Sequence, residues 1–130
     1  DSQGLLLLTN DGSLADHLAH PRYEHEKEYL VSVDKPVKKE IVERLEKGIE
    51  VDGKRTLPCT VKKLKNTVCT IVLKEGRNRQ IRKMCKTCGL QVIDLLRIRI
   101  GKIWLGELKE GKYRVLSDRE VASLHRATKK

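Results

Sequence analysis

Apolar positions change their period several times along the chain, and each change marks an element. Leu5–Leu8 is a short, wholly apolar run closed by the turn-forming cluster Thr9-Asn10-Asp11-Gly12. It predicts a strand buried on both faces near the centre of a sheet. Ser13 is placed to cap a short helix through Leu14, Leu18 and Ala19 that His20-Pro21 ends. A charged approach over 24–28 leads into a strand at Tyr29–Val33. Pro36 suits a first helical turn, Val37, Ile41 and Leu45 recur at helical spacing, and Gly48 closes that helix.

Asp52-Gly53 is a turn between Ile49–Val51 and a strand near Leu57–Leu64. Lys65-Asn66 turns the chain into Val68–Leu73, where both alternating faces are apolar, as in a central strand. After Glu75-Gly76, residues 78–88 read as a helix with Ile81, Met84, Cys85 and Cys88 inward and Arg79, Arg82, Lys83 and Lys86 on the other side. Gly89 stops it. Val92–Ile100 is the next strand, followed by a short one at Trp104-Leu105, and Ser117-Asp118-Arg119-Glu120 is a capping box opening a last helix with Val121, Leu124 and His125 on its apolar side. Lys129-Lys130 is expected to fray. The pattern predicts a mixed α+β fold, a largely antiparallel sheet with three or four helices against it.

The 130 residues suit one domain. No apolar run approaches the ~20 residues of a membrane helix. The opening Asp1-Ser2-Gln3-Gly4 lacks the basic segment and apolar core of a signal peptide. A cytoplasmic domain without a membrane partner is expected. Lys+Arg number 28 against 18 Asp+Glu, a net charge of +10, which favours a polyanionic partner through counterion release. A basic surface kept only for solubility is the alternative. With three Tyr, one Trp and no Phe, the chain cannot build rows of stacking aromatics for single-stranded RNA. Cys85 and Cys88 have C-x-x-C spacing, but Cys59 and Cys69 stand ten apart in strand-like sequence. Reduced thiols and no metal site are therefore expected.

The densest chemistry lies in Glu75-Gly76-Arg77-Asn78-Arg79-Gln80-Ile81-Arg82-Lys83-Met84. A glycine turn here feeds a helix N-terminus crowded with guanidinium groups and two amides. Such a segment can hold an RNA backbone, a buried carboxylate, or both. An exposed basic helix face explains it too.

This block, with Gly4-Leu5-Leu6-Leu7-Leu8-Thr9-Asn10-Asp11-Gly12, Lys27-Glu28-Tyr29-Leu30-Val31, the run from Val92 to Gly101 and Gly111-Lys112-Tyr113-Arg114-Val115-Leu116-Ser117, resembles the RsuA/RluB/RluE/RluF group of ribosomal-RNA pseudouridine synthases. The blocks keep that group's order and spacing over essentially the whole chain, and residues 1–4 and 25–29 look closest to the RluF branch. The resemblance implies the pseudouridine synthase catalytic fold and the conversion of a uridine in structured RNA, most simply large-subunit 23S rRNA, to pseudouridine. It implies no metal or organic cofactor. Ribosomal RNA is the expected partner, transfer RNA a second option, and a monomer the expected state. A noncatalytic RNA-binding module of the same fold is the competing reading.

On this resemblance Tyr29 is the active-site tyrosine, stacking on the extruded base and helping to move the proton from the rejoined carbon. Arg82 pairs with the essential aspartate, whose role as nucleophile or base stays open. Leu95 walls the pocket. Arg77, Asn78, Arg79, Gln80, Lys83, Arg97 and Arg99 are candidate RNA contacts. The bland alternatives are a cross-strand packing ring for Tyr29, a surface ion pair for Arg82 and ordinary core packing for Leu95. Aligned on Ser2-Gln3-Gly4, the catalytic aspartate falls two residues ahead of Asp1, while Asp1 takes a noncatalytic acidic position and Asp11 belongs to a turn. The chain is thus expected to be a catalytic-domain fragment without the family's N-terminal RNA-binding domain.

Overall fold

A computed structural model describes residues 3–7, 25–108 and 112–125. The elements are β1 (Gln3–Gly4), β2 (Lys27–Val33), α1 (Lys39–Lys47), β3 (Glu50–Val51), β4 (Lys54–Arg55), β5 (Thr60–Lys65), β6 (Val68–Leu73), α2 (Gln80–Thr87), β7 (Val92–Ile100), β8 (Ile103–Trp104) and α3 (Asp118–His125). The main sheet runs β1-β7-β2-β6-β5, with β8 on β7 and a separate β3–β4 hairpin. Every pairing is antiparallel except β1 with β7. The architecture is the expected α+β, with three helices among the described residues.

Alternation in β2 sends Tyr29, Val31 and Val33 to one face. Opposite them on the neighbouring strands stand Ile71, Cys69, Arg97 and Leu95. That face meets Val37 and Leu45 around α1 and Ile81, Met84 and Cys85 of α2 in one continuous core. A smaller core of Leu5, Ile100, Ile103 and Leu124 gathers β8 and α3 at the other end. The capping box at α3 forms as the sequence predicts. Glu120 N–H donates to Ser117 Oγ at 3.1 Å, and Ser117 N–H donates to Glu120 Oε1 at 2.9 Å.

Several expectations shift. The run from Leu5 is not a central strand. β1 ends at Gly4 and, among the described residues, pairs with β7 alone at the end of the strand order, while Leu6 is 69% exposed. An apolar run reports two covered faces only when neighbours exist to cover them. Gly4 (φ +131°) permits the approach, because a Cβ there would lie 2.4 Å from the Arg97 backbone nitrogen. Pro36 precedes α1 rather than sitting in its first turn, because Val37 N–H donates to Asn66 O at 2.8 Å and keeps that segment extended. Asp52 (φ 53°) and Gly53 (φ 80°) do make a turn, but it joins β3 to the two-residue β4, and the longer strand begins at Thr60. α2 starts at Gln80, not Asn78, because Arg79 adopts left-handed backbone (φ 51°, ψ 36°). The short strand after β7 is Ile103–Trp104, not Trp104-Leu105. The helix expected through Leu14, the Leu8 end of the first run, Asp1, Asp11 and Lys129-Lys130 lie outside the described residues.

Candidate active site

The sheet sets the two positions on which the sequence reading leans hardest. Tyr29 is half-buried on β2 and packs against the main core. Leu95 packs against the same core from β7, opposite Val31. α2 contributes Ile81, Met84 and Cys85 to that core, so it covers the face from which Tyr29 and Leu95 project. Arg82 follows Ile81 on this helix. Tyr29 and Arg82 therefore share one side of the sheet. The Arg82 guanidinium buries its Nη2 with no hydrogen-bond partner among the described residues. A buried cationic donor left unpaired costs its desolvation outright, so the position asks for an anion.

The loop before α2 is held from several directions. Glu75 Oε2 accepts from Leu57 N–H at 2.7 Å and from Gln80 Nε2 at 2.9 Å. Gln80 Oε1 accepts from Arg77 N–H at 3.3 Å, and Gln80 Nε2 also reaches Met84 Sδ at 3.6 Å. Gln80 is only 3% exposed, so its amide braces the loop from inside. The guanidinium of Arg77 donates through Nη2 to the carbonyls of Val51 and Lys54 and ties the β3–β4 hairpin to the loop, while its Nη1 is buried without a partner among the described residues. Asn78 and Arg79 are exposed beside it. The left-handed backbone of Arg79 costs about 1–2 kcal/mol relative to ordinary helical geometry, a strain that favours aiming a side chain over stability. Lys83 Nζ lies 2.6 Å from Asp52 Oδ2. Its hydrogen bond, and secondarily its charge, hold the Asp52 carboxyl below the ordinary range.

The two β7 arginines expected to touch RNA are committed inside the protein. Arg97 Nε and Nη2 both donate to Leu5 O, at 2.8 and 2.5 Å, fastening β1 to β7. Arg99 donates to Glu28 Oε1 at 2.8 Å, to Glu26 Oε1 at 3.2 Å and to Gly101 O at 2.5 Å, with its guanidinium 5.4 Å from the Trp104 ring centroid. Glu28 precedes Tyr29 on β2, so this cluster belongs to the opposite face. The structure thus gathers Tyr29, Leu95, Arg97 and α2 on one side and separates Arg99 from them.

The cysteines are free thiols. Burial pushes Cys59 and Cys69 up to about 11 and Cys85 up to about 12, and raises Cys88 as well. At neutral pH they are protonated packing groups rather than nucleophiles. Among the described residues no group of three or more His, Cys, Asp and Glu is placed to hold a metal ion, and no helix is long and apolar enough to cross a membrane.

The sequence reading gave no role to Lys27. It lies two residues before Tyr29 on β2, hence on the same face, and period-two counting back from Tyr29 is the signal that finds it.

The family model described as RNA pseudouridylate synthase matches residues 1–87. Over 124 residues the chain is 43% identical to the dual-specificity RNA pseudouridine synthase RluF of Escherichia coli strain K12, covering 95% of this chain and 43% of that protein. It is 38% identical to ribosomal small subunit pseudouridine synthase A of Vibrio cholerae, covering 95% of this chain and 55% of that protein. It is also 38% identical to ribosomal large subunit pseudouridine synthase B of Bacillus subtilis, covering 95% of this chain and 53% of that one. The chain thus spans about half the length of these relatives. A crystal structure of a pseudouridylate synthase superposes with a TM-score of 0.92 at 34% identity, covering 95% of this chain and 55% of that one.

Proposed function

The chain belongs to the RNA pseudouridylate synthase family, and we propose that it is the catalytic portion of an enzyme that isomerises a specific uridine in structured ribosomal RNA. The observation that carries the reading is the buried, unpartnered Nη2 of Arg82 on the side of the sheet that carries Tyr29. The reaction detaches the base at nitrogen, turns it and rejoins it through carbon, which requires one carboxylate at the sugar. The resemblance puts that aspartate two residues ahead of Asp1, and Arg82 is the cation that would keep it ionised. At an effective dielectric of ~20, such a pair at ~4 Å is worth about 4 kcal/mol before desolvation. The Tyr29 ring, held by β2, is the stacking platform for a uridine taken out of its stack, which costs a few kcal/mol. Leu95 closes the pocket with apolar surface.

RNA contact falls to exposed Asn78 and Arg79 and to half-exposed Lys83 at the start of α2. Arg97 and Arg99 are structural in this reading. Large-subunit 23S rRNA is the favoured substrate. The equal identities to a small-subunit and a large-subunit enzyme support the class, ribosomal RNA, more strongly than the subunit.

Incubating the full-length protein with 16S and 23S transcripts and mapping pseudouridine tests the proposal. One modified uridine is expected in 23S rRNA, and it should disappear when the aspartate ahead of Asp1 is replaced by Ala. Absence of pseudouridine from both transcripts and from assembled subunits overturns the reading. Residues 1–130 alone are expected to turn over no uridine, so turnover by them would assign the chemistry to another acid.

A further inference from the structure

Among the described residues Lys27 is a cation without a counterion. It stands on β2 opposite Leu73 and Ile100, between the two cores, and shares its face with Tyr29. Among the described residues it makes neither a hydrogen bond nor an ion pair. Three described carboxylates, two flanking it in sequence and one beside Gly76, are committed elsewhere. Glu26 and Glu28 hold Arg99 on the other face, and Glu75 accepts from Leu57 and Gln80. The charge that Lys27 does feel is a second cation, Arg97. Burial first, and Arg97 second, push the Lys27 ammonium below its ordinary value. The ammonium is not among the fully buried unpartnered atoms, so it keeps an opening to solvent through which an anion could reach it.

The neighbour that keeps this ammonium open is Gly76, at the head of the loop that leads into α2. A Cβ at Gly76 would lie 3.3 Å from Lys27 Nζ. That contact is tight, and the flexible end of Lys27 would have to shift by a few tenths of an ångström to relieve it, so a side chain at position 76 would displace the ammonium. Lys27 therefore stands where β2, which carries Tyr29, meets the loop that carries Arg77, Asn78 and Arg79.

We propose that Lys27 Nζ binds a backbone phosphate of the RNA beside the uridine held at Tyr29, making it a positioning residue that locks the extruded nucleotide in register with the Tyr29 ring. The inference rests on the reading of the chain as an RNA pseudouridine synthase. A phosphodiester suits the site because it supplies a compact anion on a chain already threaded past Tyr29, and an ammonium engages phosphate as a point charge without needing a planar fork.

The test uses the full-length protein and a fluorescent 23S rRNA stem-loop that it modifies, with binding followed over a salt titration. Lys27→Gln should weaken binding about tenfold and reduce the slope of log K against log salt by about 0.7, one single-strand phosphate. Lys27→Arg should restore the slope. Gly76→Ala should raise Kd in the same direction. Lys62→Gln, which removes one exposed charge from the opposite face of β5, should change Kd less than twofold. Thermal stability of Lys27→Gln should match or exceed that of the wild type, since a desolvated charge facing Arg97 has been removed. Should Lys27→Gln fail to fold, [ε-¹³C]lysine spectra of the wild-type protein replace it. The Lys27 resonance should then move on addition of the stem-loop and respond far less to inorganic phosphate.

Wild-type binding and slope in Lys27→Gln overturn this inference while leaving the enzymatic reading intact. A loss of binding that tracks a loss of stability and is not rescued by Lys27→Arg assigns Lys27 to the fold and also overturns it. Failure of the wild-type protein to bind or modify any rRNA stem-loop overturns the underlying reading itself.

Discussion

Arg97 and Arg99 on β7 and Arg82 and Lys27 around the Tyr29 face carry the same formal charge and live in different energetic worlds. Arg97 and Arg99 donate to carbonyls and carboxylates of their own chain, and Arg99 is 13% exposed with its donors engaged. Arg82 buries a donor with no partner among the described residues, and Lys27 faces a like charge. A guanidinium whose donors are all answered inside the protein holds strands together. A desolvated cation left unanswered lowers stability and is tolerated where an external or distant anion completes it. By this criterion these four cations separate into fold and site, which their charge alone cannot do, while Arg77, which ties the β3–β4 hairpin yet buries Nη1 without a partner among the described residues, stands across the division.

The comparison breaks first at Arg82. In the full-length protein Arg82→Met should lower turnover about 10²–10³-fold in a pseudouridine assay, with melting temperature unchanged or raised. A large drop in stability would move Arg82 to the structural group. Tyr29→Phe should slow turnover by on the order of 10²-fold while RNA affinity stays within about twofold, and Tyr29→Ala should damage both. Equal effects of the two would remove the stacking role. Arg97→Met is the mirror image: denaturant melts should show a loss of about 2 kcal/mol as the Leu5 carbonyl loses its donors. Unchanged stability would dissolve the division.

Lys83→Gln sits near the boundary, since its 2.6 Å pair with Asp52 is largely solvated. It should cost no more than about 1 kcal/mol in chemical denaturation, yet reduce the RNA salt slope by about 0.7. The smallest effect concerns pH. Lys27 is depressed below its ordinary 10.5, so the unfolded chain holds that proton more tightly than the folded one. Stability should therefore be lowest, on this account, below the folded pKa and recover as pH rises toward 10.5. Melting curves between pH 8 and pH 10 compared for wild type and Lys27→Gln read this out, and parallel curves would remove Lys27 from the unanswered group.

Much of the fold was legible because local chemistry and tertiary context agree. Val92–Ile100 appears in the structure with the bounds its pattern predicts, because its local β pattern agrees with the pairing β2 gives it, and Ser117 and Glu120 form their capping box through contacts three residues apart. Two of the misplacements trace to distant partners and one to local backbone. Among the described residues β1 pairs with β7 alone and Leu6 is exposed, Pro36 stays extended because Asn66 holds Val37, and α2 begins late because Arg79 just before it is left-handed. The candidate site divides the same way. Ordered motif blocks nominate Tyr29, Arg82 and Leu95 as candidates, whereas Gln80 turning inward, Arg97 and Arg99 being spent on the fold and Lys27 lacking a counterion among the described residues show only in the structure.

By itself, the sequence determined the family, the α+β class, the net positive charge and the order of the elements, because these follow from local periodicity and from residue types at fixed spacing. Only the tertiary structure decided which cations are neutralised. Partners such as the Glu28 carboxylate for Arg99 and the Leu5 carbonyl oxygen for Arg97 lie 71 and 92 residues away in the chain, and pairing at that range is set by sheet register, which no local pattern encodes.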